Sequence, residues 1–73
     1  MTPLGLYLAK KSVNRAMVSK RTGISQARLS QLSLNPSTKL RADELYLIAL
    51  AIDVEPGEIF VELFNDLKLL NNK

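Results

Sequence analysis

The sequence predicts a compact all-α domain of five helices, and three observations predict it. Apolar residues recur at spacings of three and four, and no segment alternates at period two over a useful length. Helix starts are punctuated by Thr2-Pro3, Asn14, Ser25 and Pro56, and stops by Gly23 and Asn35-Pro36. The chain has 73 residues, 47% of them hydrophobic, which suits one domain over 1–73 with a core of its own. It has no cysteine, so helix packing or dimerisation has to supply the stability that disulfides or thiolate metal sites give other small domains.

The first helix is expected from Pro3 to Ser12. Thr2 is a good N-cap and proline is favoured at the first helical position. Leu4, Tyr7 and Leu8 share a face, and Lys10 and Lys11 complement the dipole of the last turn. The second helix runs from Arg15 to Thr22, capped by Asn14 and ended by Gly23, which can take the left-handed conformation a sharp turn needs. The third starts after Ser25, carries Leu29 and Leu32 on its inner face, and ends before Asn35-Pro36, because the residue before proline avoids helix. Asn35 to Leu40 reads as a polar, basic loop.

The fourth helix is expected from Arg41 to Ile52, with Asp43 and Glu44 as dipole partners in its first turn. Leu45, Ile48, Ala49 and Ile52 line it, and its nearly all-round apolar character predicts the most buried helix. The fifth begins at Pro56 and is expected to continue to Leu70. Phe60, Leu63, Leu67 and Leu70 form its stripe, widened by Ile59 and Phe64. Residues 58–73 thus combine a fifth helix with a C-terminal extension. That apolar stripe predicts a homodimer seam through Phe60, Leu63, Phe64, Leu67 and Leu70. The alternative is that Phe64, Leu67 and Leu70 fold back onto the core.

Charge is informative in its placement. Residues 1–41 hold eight cations and no acid, whereas residues 42–73 hold seven acids against Lys68 and Lys73. Such asymmetry suits one anion-facing surface, and duplex DNA rewards Lys and Arg by releasing condensed counterions. A solvated basic face with no partner has the same composition.

Two short helices joined by Gly23-Ile24-Ser25 form a helix-turn-helix pattern. At about 100° per residue, the side of the third helix opposite Leu29 and Leu32 carries Ala27 and Gln31 with Ser30 beside them, flanked by Gln26 and Arg28. Gln can pair with adenine, Arg with guanine, and Ala can touch a thymine methyl, so these five are the candidate base readers. Asn14 and Ser25, at helix starts, and Arg15, Lys39 and Arg41, beside the reading helix, are candidate phosphate contacts. The plainer reading makes Gln26 and Gln31 solvated helix residues, Asn14 and Ser25 caps only, and Lys20 and Arg21 solvated cations.

The run from Arg15 to Leu32 resembles the Cro/C-type phage repressor helix-turn-helix family, also called the XRE family. The resemblance lies in Ser19, Gly23, Ile24, Ser25, Leu29 and Leu32, and extends to Ile48–Val54 and Glu58-Ile59. It covers roughly residues 4–64. It implies a lambda-repressor-like five-helix fold, operator binding as a two-fold dimer, and transcription regulation. Carried over by position, it puts Gln26, Ala27 and Gln31 on base-reading sites and Ser25 on a phosphate. Arg15 stands where the family often has Gln, Ser33 where Glu is common, Ser19 where Ala is, and Met17 where a polar residue is usual. The loop from Leu34 to Leu40 is irregular against the pattern.

The expected function is therefore a DNA-binding transcriptional regulator. A protein-interaction module on the same fold, antitoxin-like or a phage regulatory protein, is the alternative. An enzyme is not expected, because there is no His or Cys, no phosphate-binding glycine loop and no metal-ligand cluster, and no cofactor is expected either. No signal peptide is visible, and the longest apolar run, Leu45 to Ile52, is far short of the ~20 residues of a membrane span. A cytoplasmic protein with no membrane contact is expected. The fold uses the whole chain, so no small-molecule ligand is expected.

Overall fold

The computed structural model describes residues 1–70. They form α1 (Pro3–Lys10), α2 (Arg15–Thr22), α3 (Gln26–Leu34), α4 (Ala42–Ala51) and α5 (Pro56–Phe64), with no strand among the described residues. The expected all-α architecture of five helices is what the chain adopts. α1 packs on α3, α2 on both α3 and α4, and α5 closes the structure against α4 and α1. One core results, with Leu29, Ile48, Ile59 and Val18 fully enclosed, one each from α3, α4, α5 and α2, and Leu4, Tyr7 and Leu8 completing it from α1. Among the described residues no helix is long and apolar enough to cross a membrane.

The caps form where the residue types place them. Asn14 Oδ1 accepts the N–H groups of Ala16 and Met17, and Ser25 Oγ accepts that of Arg28. Thr2 does more than cap. Its Oγ1 accepts the Gly5 N–H at 3.0 Å and donates toward the carbonyls of Leu32 and Ser33, at 2.6 and 3.0 Å. Its own N–H donates to Ser33 O at 2.9 Å. The start of α1 is thereby tied to the last turn of α3, satisfying carbonyls a helix end leaves free. Gly5 permits that approach: a Cβ there would collide with the Ser33 carbonyl oxygen.

The ends of α1 and α5 differ from expectation, and the surroundings of α4 and Arg21 are sharpened. α1 ends at Lys10 rather than Ser12, because Ser12 turns left-handed at φ 56°. α4 carries more buried residues than any other helix, as expected, but is not enclosed all round: Tyr46, Leu47 and Leu50 remain exposed. α5 stops at Phe64 rather than Leu70. Asn65 and Asp66 follow, one a weak helix former and the other an acid at the negative end of the dipole, and the Leu67 N–H closes a tight turn onto Phe64 O instead. Leu67 and Leu70 therefore lie outside the helix, 70% and 102% exposed, so the stripe from Phe60 to Leu70 is not one continuous helical face. Leu63, expected in that seam, is buried in the core of its own chain. The end of the extension, residues 71–73, lies outside the described residues. Arg21 is exposed, as expected of a solvated cation, and also donates from NH1 to Ala51 O at 2.8 Å, where a cation meets the carbonyl end of α4.

Candidate nucleic-acid interface

α2 and α3 are set at their angle by a three-residue turn. Gly23 has φ 81°, and its N–H donates to Ser19 O at 2.9 Å. Space around it is open, so it is the backbone angle that requires glycine, a side chain there costing roughly 1–2 kcal/mol. Thr22 Oγ1 donates to Val18 O and accepts the Ile24 N–H, and Ile24 packs against the core. Ser25 is extended, at ψ 153°, and starts α3.

α3 turns Leu29, Leu32 and Ser33 inward. Ala27 and Gln31 are exposed on the other side and Gln26 is exposed at the first position of the helix, while Arg28 and Ser30 are half-buried on its flanks. Ser30 Oγ accepts a hydrogen bond from Arg15 NH1 at 2.9 Å, so the guanidinium at the start of α2 is held against the flank of α3. Gln31 Oε1 accepts from Asn35 Nδ2 at 3.2 Å, leaving its own amide donors outward.

Arg28 departs from the face it was expected to share. Its Nε and NH2 donate to the two carboxylate oxygens of Glu44, both at 2.9 Å, and NH2 also reaches Lys39 O at 2.9 Å. Its guanidinium thus reaches from α3 to the first turn of α4, held there bidentately by an acid that α4 presents from a buried position. The Arg28 hydrogen bond holds the Glu44 carboxyl below its ordinary range, helped by the Arg41 N–H and opposed by burial. The same bond raises Arg28. Glu44 was read in the sequence only as a dipole partner of α4. No local signal marks its second role, because Arg28 lies sixteen residues away and meets it only across the packed helices.

The remaining candidates surround α3 loosely. Asn14 and Ser25 spend one side-chain oxygen each on capping and are exposed. Lys39 is exposed in the loop after α3, whose turn is held by Asn35 Oδ1 accepting the Ser37 N–H. Arg41 is exposed and makes a surface pair with Asp43 at 3.1 Å, an interaction of little energetic weight. Arg15, Lys39 and Arg41 stand on segments next to α3, and residues 1–41 contain no acid. The arrangement is a helix with a short polar outer face, bordered by cations and carried on a rigid turn.

No curated protein and no solved structure matches the chain. A family model does, over residues 4–62, which takes in all of the helix-turn-helix and most of the surrounding helices. The chain belongs to the family of Cro/C1-type helix-turn-helix DNA-binding domains.

Proposed function

We propose that this protein is a sequence-specific transcriptional regulator that places α3 in the major groove of an operator and binds as a homodimer. The observation that carries the reading is the outer face of α3, where Ala27 and Gln31 stand exposed with Gln26 exposed at the helix start and Arg15 bonded to Ser30 on the flank. Gln31 and Gln26 supply amide pairs for adenine edges and Ala27 a methyl contact. Ser30, half-buried and engaged by Arg15, contributes at the edge of that face. Asn14, Arg15, Ser25, Lys39 and Arg41 contact phosphate and set the register. Homodimerisation draws on Phe60, half exposed with its ring 5.3 Å from that of Phe64, and on the exposed Leu67 and Leu70.

Selection of bound DNA from a random pool tests the reading. The expected product is a near-palindrome with half-sites about one helical turn apart. A pool with no enriched sequence refutes it. Sedimentation of the pure protein checks the dimer, and a monomer both free and on the operator refutes that part. Gln31→Ala should weaken specific binding more than non-specific binding, whereas Arg15→Ala should weaken both alike. Equal losses for both variants on both DNAs contradict the assignment.

A further inference from the structure

The Glu44 carboxylate joins three segments at once. Oε2 accepts from Arg28 Nε, and Oε1 accepts from Arg28 NH2 and from the Arg41 N–H at 3.0 Å. Arg28 NH2 in turn holds the Lys39 carbonyl. One acid therefore ties the N-terminal half of α3 to the end of the 35–41 loop and to the first turn of α4. Lys39 and Arg41, both proposed phosphate contacts, sit on the segments so tied. The opposite flank of α3 has its own anchor in the Arg15–Ser30 bond. Moving Arg28 out to a base edge would leave Glu44, which is 9% exposed, without its partner, and stripping the partner from a nearly buried carboxylate is unfavourable.

We infer that Arg28 and Glu44 are positioning residues for DNA recognition: their bidentate pair registers the reading helix against the phosphate-contacting cations of the following loop. Glu44, an acid that touches no DNA, is then required for specificity, and Arg28 is not a base reader. The inference rests on the DNA-binding reading of α3.

The test turns on a sign. Glu44→Gln removes a negative charge, so long-range electrostatics alone strengthens binding to every DNA. Loss of register instead weakens binding to the selected site only. The expected result, by fluorescence anisotropy on the selected operator and on scrambled duplex, is an approximately tenfold loss on the operator, the scale of one good base contact. Binding to the scrambled duplex should be unchanged or tighter. A gain on both DNAs alike overturns the inference. A second measurement needs no variant. The Arg28 Nε–H resonance of the wild-type chain, followed by NMR as operator is added, should stay where the Glu44 bond puts it. Movement of that resonance to a base-contact environment overturns the inference even if Glu44→Gln does not fold. Failure of the unmutated chain to select any site defeats the DNA reading itself and the inference with it, and is recognised because it occurs before any substitution.

Discussion

Thr2→Val isolates the tie between α1 and α3. Valine keeps the shape of threonine and replaces its hydroxyl with a methyl, a change that conserves volume but not hydrogen bonding. The Gly5 N–H loses its cap acceptor, worth ~1 kcal/mol. The Leu32 and Ser33 carbonyls lose a buried donor, worth roughly another 1 kcal/mol, although Ser33 O keeps the Thr2 N–H. The expected loss is about 2 kcal/mol, which for a domain of this size lowers Tm by roughly 8–16 °C. Thr2→Ser keeps every bond and gives up one methyl group, at most about 1 kcal/mol. Thermal and urea unfolding followed by circular dichroism compare the two variants with the wild type. The valine variant should fall well below the serine variant at an unchanged urea m-value. If the two variants are equally stable, the hydroxyl bonds contribute nothing and the tie between α1 and α3 is packing alone.

Gly5→Ala should destabilise by ~1–3 kcal/mol in urea unfolding, because the collision with Ser33 O outweighs the helix propensity alanine brings, and a more stable variant would show that α1 can shift freely. Ser33→Ala should have the opposite sign: the Ser33 hydroxyl is buried without a partner among the described residues, so its removal should stabilise by about 1 kcal/mol, and a clear loss in the same assay contradicts the assignment. Glu44 has its folded pKa depressed by the Arg28 hydrogen bond, so its contribution is fully present above its unfolded value of about 4.3 and is lost as pH falls through the lower folded value. The urea midpoint should therefore decline below about pH 5, and Glu44→Gln should flatten part of that decline, an identical pH profile for both chains being the refuting result.

Much of the candidate interface was legible because its signals are local. Asn14, Gly23 and Ser25 define where α2 begins and ends and where α3 begins, through bonds within three or four residues. Helical periodicity then separates Leu29 and Leu32 from Ala27 and Gln31. Arg28 escaped this logic. It lies on the flank of α3, where angular position cannot distinguish a chain that points to solvent from one that wraps inward. Arg21 escaped for the same reason, being long enough to reach a carbonyl thirty residues away. The stop after Phe64 has a local signal in Asn65-Asp66, which competes in the sequence with leucines that continue the helical spacing beyond it.

The sequence by itself determined that the chain is helical, where each helix starts, and which face of α3 is polar. Those properties depend on capping chemistry and on a period of 3.6 residues, both written into neighbouring positions. Only the tertiary structure decided what the charged and polar side chains at the seams do: Thr2 on the end of α3, Arg21 on the end of α4, Arg28 on Glu44. It also took Leu63 into the core and left Leu67 outside it. The physical reason is common to all of them. A partner sixteen or thirty residues away is chosen by how the helices cross, and that follows from packing the whole core at once rather than from any stretch of the chain read alone.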